Sequence, residues 1–387
     1  LPLALLYKNQ LPENQYFNNP RIYQYCLAAL NFAAKNSRQN GSNDDYYPNE
    51  QALGSTAFSF YACTESYKIL ELDNINLINF FKKRADFIIS KKESGTLSNH
   101  HALAALALDN VYRISQNEKY KKAAENKILE VLSNQSKEGW FLEYEGCDPG
   151  YLTFTIDFLA KYLQQNPEHE KLKEALEKAV NFCYLTLHPD GSYGGEYGSR
   201  NTYHFVPAGF EILSKYFSEA VFIRNKFLES LKNKTRSRID DDRIFGHYVY
   251  NFLQAYLNHT QQFLEKGREN YQEDFKDAGL VVRNQKNIFF ICSLKKGGVF
   301  KLFKNNKLTA SDTGVIIKIN ENKIYSSQML LISPYALISD NFIEIQTKFY
   351  KYKQILPSPI KQVIFRLATI ILGKYLNNYI RIILQKM

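Results

Sequence analysis

Residues 148–163 read DPGYLTFTIDFLAKYL, and residues 168–187 read EHEKLKEALEKAVNFCYLTL. In the second run Leu172, Ala175, Leu176, Ala179, Val180 and Cys183 step by three and four, which puts one apolar stripe on an otherwise solvated helix. The first run is apolar nearly all round, and it starts with Asp148 as a cap before Pro149 at the first helical position. A helix with one wet face followed by a helix with none implies two packed layers.

The alternation recurs along the chain. Runs of the first kind are NEQALGSTAFSFYACTESYKIL (49–70), SNHHALAALALDNVYRI (98–114), TYHFVPAGFEILSKYF (202–217) and FGHYVYNFLQAYL (245–257). With the opening run they end near Tyr67, Tyr112, Tyr162, Tyr216 and Tyr256, at intervals of 40 to 54 residues. Runs 74–90 and 117–135 have the one-striped character of an outer helix. The expected architecture is an incomplete (α/α) toroid of about five helix pairs, in which aromatic and small residues favour a ring over a flat helical solenoid of the same repeat.

Such connectivity sends every loop that leads from an outer to an inner helix to one end of the ring. Those loops are 39–51, 91–101, 136–151, 188–204 and 234–248, and they hold the richest mixture of acids, histidines and tyrosines in the chain. From about Phe275 the texture changes to short β-branched and aromatic runs separated by KKGG, KNNK and NENK, the pattern of successive antiparallel strands. The expected organisation is therefore a toroid over 1–270, an antiparallel β domain over 271–355 and a basic amphipathic helix over 356–387.

Charge follows the same division. No acidic residue follows Glu344, while eight Lys and Arg do, so most of the formal excess of +10 belongs to the C-terminal tail. A nearly neutral body argues against a nucleic-acid-binding protein with a broad basic face. The terminal helix is a candidate for contact with an anionic membrane surface or for docking on another part of the protein. Five scattered cysteines without a CxxC pair read as buried free thiols. The chain starts LPLALLYKNQ without Met, so a missing N-terminal piece is expected, and cytoplasm, membrane periphery and periplasm all stay open.

Three expected mouth loops bring a histidine to the start of an inner helix: His100 beside His101, His204, and His247. Arg200 offers a planar fork for a carboxylate, with Asn201 next to it, and Tyr193, Tyr197, Tyr203 and His204 offer rings to stack on sugar faces or transfer protons. Glu143, Glu145 and Glu196 stand in loops whose folding does not need a carboxylate. Substrate contacts are expected from Glu143, Tyr144, Glu145, Glu196, Tyr197, Arg200, Asn201, Asp241 and Arg243. There is no phosphate-binding GxxxxGK[ST], no HExxH and no regular His/Cys spacing, so no metal or other cofactor is expected.

The helix-pair repeat, the SNHH start of an inner helix (98–101), the tyrosine-rich loops and the later GG…SDTG (297–314) resemble the heparinase II/III-like polysaccharide lyases. The likeness is strongest to members associated with bacterial surface-polysaccharide clusters. It implies a toroid followed by a β domain, an acidic uronate-containing polysaccharide as partner, and cleavage by β-elimination without a cofactor. Asn99 and His100 would match the carboxylate-neutralising position, Tyr151 or Tyr203 the proton-transfer position, and His204 or His247 a second proton carrier. The β part has no histidine, so a histidine of that domain has no counterpart in this chain. Rival expectations are a uronate epimerase, a glycoside hydrolase built on paired carboxylates such as Glu143, Asp148 and Glu196, and a non-catalytic glycan-binding or scaffold protein.

Overall fold

In a computed structural model of the protein, residues 1–387 are described apart from 94, 145, 237–241, 261–266, 321–322, 332–333, 340–341, 353–357 and 387. The chain is mainly α with a smaller antiparallel β part. The helices are α1 (Pro2–Lys8), α2 (Pro20–Asn36), α3 (Leu53–Ile69), α4 (Ile75–Ser90), α5 (Ser98–Ser115), α6 (Glu118–Ser133), α7 (Pro149–Gln165), α8 (Glu170–Thr186), α9 (Ala208–Leu213), α10 (Ser218–Asn233), α11 (Asp242–Asn258) and α12 (Pro359–Lys386). They divide, with the strands, into two compact units. The three-part organisation read from the sequence follows the change from helix to strand at Tyr271 instead.

The first unit contains Leu1–Ser133, Gly246–Gln254 and Leu356–Met387. Here α3 packs along α5, and α5 also packs against α4 and α6. As its sequence requires, α5 is buried almost all round, from Ser98 through Val111, whereas α6 buries only Tyr120, Ala124, Ile128 and Val131. Arg84 of outer-type α4 is fully buried; its guanidinium lies over the Phe80 ring and donates to Ser59 Oγ at 2.6 Å and Ser37 Oγ at 2.8 Å.

The second unit contains Asn134–Phe245 and Ala255–Ile355. Inner-type α7 packs on α8 and α9, and α10 packs on both α8 and α9. The stripe expected on α8 is the face that is buried, from Leu172 to Cys183. One run departs from expectation: 202–217 forms a helix only over α9, because Pro207 lacks the N–H that would extend it and residues before a proline favour extended backbone. The Val206 N–H instead donates to Thr153 Oγ1.

The β part belongs to this unit. Strands β1 (Tyr271–Phe275), β2 (Leu280–Gln285), β3 (Ile288–Ser293), β4 (Val299–Lys304) and β5 (Lys307–Asp312) form an antiparallel meander in that order, with a 3-10 turn Leu294–Lys296 between β3 and β4. Further on, β6 (Ile316–Asn320), β7 (Lys323–Ser326) and β10 (Tyr350–Tyr352) make a three-stranded sheet, and β8 (Tyr335–Ile338) pairs with β9 (Ile343–Gln346). Helices and the five-stranded sheet share a core, with Phe182 edge-on to Phe275 at 4.8 Å and His188 against Phe303 at 4.9 Å. All five cysteines are buried and free, as their spacing implies.

Candidate functional site

The loop between α8 and α9 is held at both ends by buried polar groups. Asp148 is buried, caps α7 by accepting from the Tyr151 N–H at 3.0 Å, and also accepts from the Arg200 N–H at 2.8 Å and from Thr202 Oγ1. Within the loop the Gly195 N–H donates to the Thr202 carbonyl at 2.9 Å, closing 195–202 on itself. Gly194 makes that closure possible: its φ is +74°, and a Cβ would stand 2.3 Å from the Thr202 oxygen. On the other side the His188 ring hydrogen-bonds Ser192 Oγ at 2.8 Å and the Tyr197 hydroxyl at 3.0 Å.

Two groups of side chains result. In one, the Arg200 guanidinium lies 4.0 Å from the centroid of the Tyr144 ring, Tyr144 lies 6.1 Å from Tyr151, and Tyr151 is edge-on to His204 at 5.6 Å. Phe154 of α7 backs both Tyr151 and His204. Burial first, then coupling to the Tyr144 phenol and the Glu143 carboxylate, push the Tyr151 phenol up to about 12, against the pull of Arg200. Burial also draws the His204 imidazole below its ordinary value, opposed by Asp148. At neutral pH His204 is therefore a neutral base next to a tyrosine that keeps its proton.

In the other group the Tyr203 hydroxyl donates to Glu196 Oε1, and Lys301 Nζ reaches both Tyr203 Oη and Glu196 Oε2 at 3.2 Å. Burial and the Glu196 carboxylate raise the Tyr203 phenol above the ordinary tyrosine range. Burial would raise Glu196 too, but hydrogen bonds from Tyr203 and its own backbone and the charge of Lys301 hold it below the usual carboxylate value. Lys296 Nζ donates to the Gly198 carbonyl at 2.9 Å and to Asn201 Oδ1.

Lys296 and Lys301 were not legible as site residues, because nothing in a strand sequence tells which loop a lysine will meet. They come from the 3-10 turn and from β4, the region whose lack of histidine was the visible departure from the resembled family. Burial brings the Lys296 ammonium down to about 8, against the attraction of Asp148 and Glu196. The unfolded chain then holds that proton more tightly, so stability should rise with pH between about 8 and 10. Lys296→Met should flatten this part of a urea-midpoint profile; an unchanged profile would contradict the burial of the charge.

The remaining expected residues fall as follows. Glu143 is buried in the same loop region, and its carbonyl accepts from Ser199 Oγ. Tyr197 is 2% exposed, with its hydroxyl on His188, so it supports the loop from beneath. Asn99, His100 and His247 belong to the first unit. There Asn99 is buried in the first turn of α5, and His247 is exposed. His100 Nδ1 lies 3.1 Å from Glu93 Oε2, with its ring over Gly54, where a Cβ would stand 2.5 Å from Cε1. Glu145 and Asp241 lie outside the described residues, as does the side chain of Arg243.

No protein-family model matches the chain, and no curated protein matches it in sequence. Solved structures with a similar fold include a glycosyl hydrolase family 88 protein from Bacteroides vulgatus, 13% identical over 66% of this chain and 90% of that one, TM-score 0.48. A polysaccharide lyase is 13% identical over 68% and 92%, TM-score 0.48. Heparinase III is 13% identical over 89% of this chain and 61% of its own, TM-score 0.46. All three are carbohydrate-active enzymes by name. Likeness of this size does not carry their activities over to this chain.

Proposed function

We propose that this chain acts on an acidic, uronate-containing polysaccharide and cleaves it by β-elimination at the loops preceding α7 and α9. The observation that carries the reading is the neutral His204 imidazole edge-on to the protonated Tyr151, with the Arg200 fork next to them over Tyr144. The proton on the carbon beside a uronate carboxylate is weakly acidic until that carboxylate is neutralised. Arg200 supplies a bidentate donor pair for it, which stabilises the charge that develops as the proton leaves. His204 takes the proton, the electron pair forms the ring double bond, the glycosidic C–O bond breaks, and the leaving oxygen takes the Tyr151 proton. Solvent then restores the phenol and takes the proton from the imidazolium.

Tyr203, held by Glu196 and Lys301, offers a partly exposed ring and hydroxyl to the glycan. Hydrolysis is less well supported: a glycosidase needs one carboxyl group kept protonated, and Glu196 is held in the opposite direction.

A panel of uronate-containing polysaccharides incubated with the protein should gain ultraviolet absorbance from an unsaturated uronate at each new end. New reducing ends without that absorbance would make it a hydrolase, uronate inversion without cleavage an epimerase, and saturable binding without either a glycan-binding protein. The pH dependence follows from the same two groups. The acid limb of kcat/KM should lie below about 6.5, the ordinary imidazole value, and no loss of activity should come from Tyr151 ionisation below about pH 10. An acid limb above pH 7 would remove His204 as the base.

A further inference from the structure

The helix α12 is independent of the proposed catalytic site and uses only one of its faces. Phe365 lies edge-on to Tyr47 at 5.7 Å, Asn49 Nδ2 donates to the Thr369 and Ile370 carbonyls at 3.2 and 3.3 Å, and Gly373 packs on Pro48 and Asn49. These contacts fix the helix on the 47–49 loop of its own unit. The opposite face is an unbroken apolar stripe at helical spacing: Ile360, Ile364, Leu367 and Ile371 are 53 to 73% exposed, and Tyr375 is 78% exposed. Val363 and Ile370, 58 and 54% exposed, widen the stripe on one side, and at 3.6 residues per turn the exposed Arg366 and Lys361 fall on the two borders of the widened face.

A solvated helix in water has no use for such a stripe, and contiguous exposed apolar surface marks an interaction site. The charge of the helix itself selects the partner: from 359 to 386 its sequence has five cations and no anion. Among the described residues no helix is long and apolar enough to cross a membrane. We propose that the outward face of α12 docks on an anionic lipid surface, with the stripe in the acyl boundary and Lys361 and Arg366 at the headgroups. A second copy of the chain would face the same cations with its own, which disfavours self-association through this face.

The test is sedimentation of the full chain with phosphatidylcholine vesicles, with and without 

phosphatidylglycerol, at rising salt. Binding should need the anionic lipid, exceed that to neutral vesicles at least tenfold, and weaken as salt is added. Leu367→Glu with Ile371→Glu should abolish it, and Lys361→Gln with Arg366→Gln should lower it about twenty-five-fold, since each cation near such a surface contributes about fivefold. These side chains are exposed, so circular dichroism should be unchanged by either pair. Equal partition onto both vesicles, no binding to either, or a concentration-dependent dimer abolished by the Leu367/Ile371 pair without lipid preference would each overturn the proposal.

Discussion

Tyr151→Phe should lower kcat on an acidic polysaccharide by about a hundredfold to ten-thousandfold, the range for loss of a positioned general acid. His204→Gln should fall in the same range, and the double variant should lose little more than either single one, because the two groups act in one step. The reason is geometric: the two rings are edge-on at 5.6 Å, and their surroundings keep the proton on Tyr151 and off His204. Glu196→Gln should cost far less, since Glu196 holds Tyr203 and Lys301 rather than a reacting proton. Loss at Glu196 with retention at Tyr151 would reverse the assignment toward hydrolysis. Steady-state rates of ultraviolet product formation and of new reducing ends, taken together, measure all four variants.

The second large effect concerns folding. Asp148→Ala should lower stability by about 2–4 kcal/mol, because one buried carboxylate serves the Tyr151 N–H, the Arg200 N–H and Thr202 Oγ1. All three donors lose their acceptor together, and the last two belong to the loop that carries Arg200, Tyr203 and His204. Asp148→Asn keeps one acceptor oxygen and should lose about half as much. Urea midpoints of the two variants decide this; an Asp148→Ala protein as stable as wild type would mean that the loop is held from the sheet side alone.

The helical half of the fold was legible because its signal is local. The stripe on α8 and the all-round burial of α5 follow from residue spacing within a single helix. The length of α9 was not legible, because a helical pattern from 202 onward is overruled by Pro207 and by Val206 bonding to Thr153, a partner 53 residues away. The candidate site divides the same way. Tyr151, Arg200 and His204 stood out as reactive types beside glycines and helix starts, whereas Lys296 and Lys301 reach the loop only through long-range packing, 95 and 98 residues from Asn201 and Tyr203. Tyr197 resembled a surface ring by composition, and only its bond to buried His188 reveals a supporting role.

The most direct measurement is the structure of the Tyr151→Phe protein bound to an acidic oligosaccharide. The account predicts a uronate carboxylate on the Arg200 guanidinium, with the adjacent ring carbon within reach of His204 and the glycosidic oxygen facing position 151. An oligosaccharide bound away from Arg200, Tyr144 and His204 would contradict it.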